Sequence, residues 1–133
     1  MGPVKRIAIL GSTGSIGTQA LDVARKHPDR FRIVALVAGR NAEMLSSQVD
    51  EFKPSMAVLA ASAGGNGRFA HGPEAVLQAA TLPEADVVVN ALVGSRGLVP
   101  TVSALEAGKT VALANKESLV AGGEIVMNLV REH

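Results

Sequence analysis

Glycine recurs at every third position in Gly11-Ser12-Thr13-Gly14-Ser15-Ile16-Gly17, between a short apolar run and an amphipathic stretch. That placement constrains the chain more than any other feature. Arg6 to Leu10 is apolar and β-branched, so it reads as a buried strand, and Gly11 ends it. From Ser15 to Lys26 the apolar residues Ile16, Ala20, Val23 and Ala24 fall at helical spacing, and His27-Pro28 stops the helix. A glycine turn leading from a strand into a helix brings backbone N–H groups and the helix dipole together, which suits an anion. Gly11 permits the sharp turn. Gly14 leaves room for a phosphate against the backbone, and Gly17 allows close packing of helix on strand. Thr13 and Ser15 add hydroxyl donors. The spacing is G-x-x-G-x-x-G rather than the commoner G-x-G-x-x-G, and its strand–turn–helix context points to a dinucleotide pyrophosphate.

The alternation continues along the chain. Phe31 to Val37 is a second buried strand. Asn41 caps a helix that runs to about Phe52, with Met44, Leu45, Val49 and Phe52 on one face, and Lys53-Pro54 stops it. Met56 to Ala60 is a third strand. Residues 61–72 are rich in Gly, Ala and Ser and read as a loop, after which Pro73 opens a short helix bearing Ala75, Val76, Leu77 and Ala80. Asp86 to Leu92 is a fourth strand, and its Val87-Val88-Val89 centre suits a strand covered on both faces. Gly97 to Ala107 is a helix stopped by Gly108. Lys109 to Leu113 is a fifth strand, and Glu117 to about Arg131 a last helix. Strands alternating with helices predict an α/β chain. The expectation is a Rossmann-like, doubly wound parallel sheet in a single domain over residues 1–133. The final stretch, Glu124 to His133, carries Ile125, Val126, Leu129 and Val130 on one side and has no cap or following strand. It reads as part of a longer protein.

Composition removes several function classes. Hydrophobic residues make up 47% of the 133, enough to bury a core. Lys and Arg number 13 against 12 Asp and Glu, so no electrostatic footprint for nucleic acid or an anionic membrane is expected. Cys, Tyr and Trp are all 0, which excludes a cysteine nucleophile, a catalytic tyrosine and a zinc-thiolate site in this chain. No run approaches the ~20 apolar residues of a membrane-spanning helix. The amino terminus lacks a secretory or import pattern, so a cytoplasmic location is expected. His27, His71 and His133 form no metal-ligand spacing. Asp22, Asp50, Glu51, Glu106 and Glu124 read as solvated, Asp86 as a local neutraliser, and Met44 and Met127 as core.

Two strand ends refine the nucleotide reading. In NAD-binding versions of this arrangement an acid at the end of the second strand bonds the ribose 2′-hydroxyl, whereas an Arg accommodates a 2′-phosphate. Here the strand runs into Ala38-Gly39-Arg40-Asn41, without an acid. Arg40 offers a planar bidentate donor and Asn41 another donor, which favours NADP over NAD. The fifth strand runs into Ala114-Asn115-Lys116-Glu117, a polar cluster at the end where open α/β sheets bind ligands. Asn115 suits a ribose or amide, Lys116 an anionic substrate, and Glu117 the start of a helix. Asn90 to Gly94, ending the fourth strand, is expected to form another wall of the crevice.

These segments together resemble 1-deoxy-D-xylulose 5-phosphate reductoisomerase, specifically its amino-terminal NADPH-binding domain. The resemblance is carried by Ile9 to Gly17, Val34 to Asn41, and Lys109 to Val120, and the Leu-Ala-Asn-Lys-Glu-Ser-Leu segment is its most specific part. The resemblance implies an enzyme that rearranges its sugar phosphate substrate and reduces the product with NADPH to 2-C-methyl-D-erythritol 4-phosphate, in non-mevalonate isoprenoid synthesis. It implies that Thr13, Gly14, Ser15 and Ile16 hold the pyrophosphate and that Gly39, Arg40 and Asn41 surround the 2′-phosphate. It further implies that Asn115 and Glu117 contact the cofactor and that Lys116 faces the substrate. Many members have Lys where Arg40 stands. The family's magnesium or manganese ligands, the loop that covers the substrate and most of its dimer contacts follow the segment matched here. The resemblance therefore implies no metal ligand or catalytic residue in this chain, no activity of the chain alone, and a homodimer only for the complete enzyme.

Other readings fit less. Short-chain dehydrogenases share the glycine-turn style but use a Tyr–Lys pair, and aspartate-semialdehyde dehydrogenases use a Cys. Neither accounts for the Asn-Lys-Glu cluster. A stand-alone NADP-binding module or sensor without catalysis is the remaining alternative.

Overall fold

The computed structural model describes residues 4–61, 69–92 and 98–113. Among the described residues, six strands and four helices are formed: β1 (Lys5–Leu10), α1 (Ser15–Lys26), β2 (Phe31–Ala38), α2 (Ala42–Phe52), β3 (Met56–Leu59), β4 (Ala70–His71), α3 (Gly72–Ala80), β5 (Val87–Asn90), α4 (Leu98–Glu106) and β6 (Thr110–Leu113). The strands form one sheet in the order β4-β3-β2-β1-β5-β6, and every neighbouring pair is parallel. The α/β, doubly wound expectation holds. The sheet is buried on both faces, which is why Ala8 to Leu10 and Ile33 to Ala38 can be uninterrupted apolar runs.

The two faces differ in side-chain size. One packs Ala8, Leu10, Val37, Val58 and Val88 against Ala75, Val76, Ala79 and Ala80 of α3 and Ala104 of α4. Small residues there let the helices lie close to the sheet. The other packs Ile9, Leu36 and Leu59 against Leu21 and Ala24 of α1 and Leu45 of α2. A register shift between Ile7 and Ala8 inserts Val34 into β2, since Ile7 pairs with Ile33 but Ala8 with Ala35. Val34 and Ala35 consequently both belong to the first face, breaking simple alternation.

Several expectations are corrected. Residues 61–72 do not form only a loop, because Ala70 and His71 add β4 at the sheet edge, paired with Val58 and Leu59. A two-residue exposed edge strand carries no hydrophobic period to read. The inward stripe of α1 is Gly17, Leu21 and Ala24, while Ile16 and Val23 are exposed. Met44 is likewise exposed, and α2 turns Leu45 and Gln48 inward. Residues at i, i+3 and i+7 share a face: in α1 the expected Ala20 and Ala24 pack inward while Ile16 and Val23 turn out, and in α2 the expected Leu45, Val49 and Phe52 pack inward while Met44 turns out. The expected helix from Glu117 lies outside the described residues. Among the described residues no helix is long and apolar enough to cross a membrane.

Asp86 does neutralise locally, as expected. It accepts from Arg6 N at 2.9 Å and from Arg6 Nε and Nη2 at 3.3 Å, joining the starts of β1 and β5. Asp22 and Glu51 are partnered rather than merely solvated. Arg25 of α1 donates Nη2 to Glu51 Oε1 at 2.9 Å and Nε to Glu51 Oε2, and its Nη1 reaches Asp22 Oδ1 at 3.1 Å.

Candidate functional site

All strands run the same way, so their carboxyl ends share one edge. β1 lies between β2 and β5, and the connections leave it in opposite directions. That reversal opens a crevice at the ends of the strands flanking β1, the place where open α/β sheets take ligands. The turns after β1, β2 and β5 meet there.

The turn after β1 is held firmly on its inner side. Gly11 N–H and Ser12 N–H both donate to Val37 O, at 2.7 and 2.9 Å. Gly11 has φ +91°, which a side chain rarely tolerates, and a Cβ there would lie 2.8 Å from Ala91 O. A Cβ on Gly17 would lie 2.0 Å from Gly11 O and 2.8 Å from Ser12 Cα. Gly17 therefore serves close packing, but against the turn itself rather than the strand. These two glycines are required by the chain's own backbone.

Gly14 and Gly39 are different. A Cβ on Gly14 would meet only Gly11 O, at an ordinary 3.7 Å, and one on Gly39 would meet nothing within 4 Å. Among the described residues, both face open space. Gly14 is the N-cap of α1 and provides no side-chain cap; the first-turn amides of Ser15, Ile16 and Gly17 precede the first intrahelical bond, from Thr18 N–H to Gly14 O at 2.9 Å. No acidic residue stands in that first turn. Gly14, Ser15 and Ile16 are exposed and Thr13 is half-buried, so all four expected pyrophosphate residues border one open surface.

Beyond β2, Gly39 and Arg40 line a cavity of about 500 Å³ whose walls include Ala60, Val76, Leu92 and Val99. Its lining is mostly apolar, with Arg40 at the rim. Arg40 is exposed and joins no ion pair with a described residue. Asn41 caps α2, its Oδ1 accepting from Met44 N–H at 3.0 Å, which leaves its amide N–H groups as donors beside Arg40. The β5 wall is anchored by Asn90, which is fully buried. Its Nδ2 donates to Thr101 Oγ1 at 2.6 Å, and its Oδ1 accepts from Leu92 N–H at 3.1 Å. Asn90 belongs to the segment expected to form this wall, but the sequence gave no sign of its tie to Thr101. Asn115, Lys116, Glu117 and the Val93-Gly94 end of the wall lie outside the described residues.

Residues 7–123 match the family model described as 1-deoxy-D-xylulose 5-phosphate reductoisomerase. The chain belongs to that family. A reductoisomerase of Geobacter metallireducens is 50% identical over 140 aligned positions, which cover 98% of this chain and 36% of the relative. The Zymomonas mobilis reductoisomerase solved in complex with NADPH superposes with a TM-score of 0.89 at 38% identity, over 98% of this chain and 37% of that one. A reductoisomerase solved with NADPH, fosmidomycin and magnesium gives a TM-score of 0.89 at 36% identity, over 98% of this chain and 35% of that one. The chain thus spans about a third of the length of the relatives it matches. Among the described residues no group of three or more His, Asp or Glu side chains could hold a metal ion.

Proposed function

We propose that residues 1–133 form the NADPH-binding domain of a 1-deoxy-D-xylulose 5-phosphate reductoisomerase. The observation that carries this reading is the pair Gly14 and Gly39, which face open space although no described residue excludes a side chain there. Thr13, Gly14, Ser15 and Ile16 would hold the pyrophosphate at the start of α1, where amide donors and the helix dipole favour an anion. Gly39, Arg40 and Asn41 would surround the adenosine 2′-phosphate, with Arg40 supplying the fixed positive charge. The apolar cavity beyond Arg40 suits the adenine ring. Asn115 and Glu117 would contact the cofactor and Lys116 the phosphate-bearing substrate.

When bound, NADPH supplies the hydride for the reduction. The chain's own residues bind and orient it. The complete enzyme would convert 1-deoxy-D-xylulose 5-phosphate to 2-C-methyl-D-erythritol 4-phosphate in the cytoplasm, as a homodimer, with a magnesium or manganese ion held by residues outside this chain. This chain alone would bind cofactor without turnover, and it would bind neither nucleic acid nor membrane.

Calorimetric titration with NADPH and, separately, NADH tests the reading. NADPH should bind more tightly, and Arg40→Asp should abolish the preference by placing an acid where the 2′-phosphate sits. Equal affinity for both in the parent protein would remove Arg40 from the site. Binding of neither would reject the nucleotide reading for this chain.

A further inference from the structure

The inward stripe of α2 contains one polar side chain, Gln48, which is 8% exposed. A buried amide ordinarily has both of its ends bonded. Here one end is: Gln48 Nε2 donates to Ser12 O at 2.9 Å. Gln48 Oε1 and the Ser12 hydroxyl are buried without a hydrogen-bond partner among the described residues. A methionine would fill the stripe with no unpaired oxygen, but it could not hold the Ser12 carbonyl.

We propose that Gln48 is a positioning residue for the phosphate-binding turn, fixing the Ser12–Thr13 peptide so that Thr13 N–H is aimed at the pyrophosphate. The proposal rests on the NADPH reading of the turn. In a trans peptide the C=O and the following N–H point in opposite directions, and the described chain has no cis bond. Gln48 draws the Ser12 carbonyl toward α2, so Thr13 N–H is turned away from α2. The peptides before it are tied to β2 through Val37 O. Gly11 N–H, Ser12 N–H and Ser12 C=O therefore secure the inner side of the turn, and the Thr13 amide faces outward beside the exposed start of α1. A donor oriented before the ligand arrives loses less freedom on binding.

Two ligands separate positioning from mere packing. NADPH spans the turn and Arg40, whereas adenosine 2′-monophosphate carries the base and 2′-phosphate without a pyrophosphate. Gln48→Met should raise the NADPH Kd at least about tenfold and leave the adenosine 2′-monophosphate Kd within about twofold. If Gln48→Met does not fold, the same split is expected of Gln48→Leu, which fills the stripe without charge but has no N–H to donate. Unchanged NADPH binding in a folded variant, parallel weakening of both ligands, or failure of both variants to fold would overturn the proposal. A parent protein that binds both ligands while the variants show no split refutes only the role of Gln48. A parent that binds neither refutes the NADPH reading and the proposal together.

Discussion

Gly17→Ala is the most direct test of how the turn is built. The added Cβ would lie 2.0 Å from Gly11 O, 2.8 Å from Ser12 Cα and 2.9 Å from Gly11 C. The first contact is roughly 1.4 Å short of ordinary separation, and all three partners are backbone, so no side chain can rotate away. Overpacking typically costs ~1–3 kcal/mol, and a rigid backbone neighbour puts this site at the upper end. Alanine's better helix propensity returns at most ~1 kcal/mol, less in a first turn. The net loss is about 2 kcal/mol, which lowers Tm by on the order of 8 °C in a domain of this size. Urea unfolding followed by circular dichroism should show a lower midpoint with an unchanged m-value. Gly39→Ala is the counterpart. Its Cβ meets nothing within 4 Å, so stability should stay within ~0.5 kcal/mol, while the NADPH Kd should rise at least about tenfold. A Gly17→Ala protein as stable as its parent, or a Gly39→Ala protein that keeps full affinity, would refute the division of these glycines into backbone-required and ligand-required.

Other perturbations have equally definite outcomes. Thr101→Val removes the oxygen that accepts from buried Asn90 Nδ2 and should cost about 1–3 kcal/mol in chemical denaturation, because a buried donor loses that bond. Asn41→Ala removes the α2 cap and should cost ~1 kcal/mol by the same assay. The side-chain hydrogen bond from Arg6 holds the Asp86 carboxyl below its usual range, as the one from Arg25 does for Glu51. A depressed folded pKa adds stability that is present above the unfolded value of about 4 and is lost as pH falls through the folded value. Asp86→Asn should therefore destabilise at neutral pH and flatten the acid limb of a stability–pH curve. Both pairs are exposed, so salt should shrink the effect.

The fold was legible because its signals are local and repeated. Ile7 to Leu10, Ile33 to Val37 and Val87 to Val89 are apolar runs that need cover on both faces, and Pro54, Pro73 and Gly108 punctuate the helices between them. The turn at Gly11 to Gly17 was legible for the same reason. What escaped was whatever depends on partners distant in sequence. Arg25 and Glu51 look like separate solvated charges until α1 and α2 lie side by side. β4 exists only because β3 offers it an edge. Ile16, Val23 and Met44 turn outward although Ala20, Ala24, Leu45, Val49 and Phe52 beside them pack inward, because spacing alone does not separate the edge of an apolar stripe from its centre.

Gln48 and the tie between Asn90 and Thr101 escaped for a reason that bears on the site. Among the described residues, the buried polar side chains are Ser12, Gln48, Asn90 and Thr101. They form two ties, Gln48 to the Ser12 carbonyl and Asn90 to the Thr101 hydroxyl. Ser12 and Asn90 stand at the carboxyl ends of β1 and β5, on the two sides of the crevice. Burying a polar group is costly, and elsewhere the described core is apolar. Polarity is buried here because regular hydrogen bonding stops where strands end, and the chain beyond must still be held in one shape. Apolar contacts could fill that space but could not fix the direction of a peptide plane, since they are not directional. Hydrogen bonds can. A polar residue on the inward stripe of a helix, with an amide long enough to reach a strand end, is therefore the sequence signal that would have pointed to Gln48.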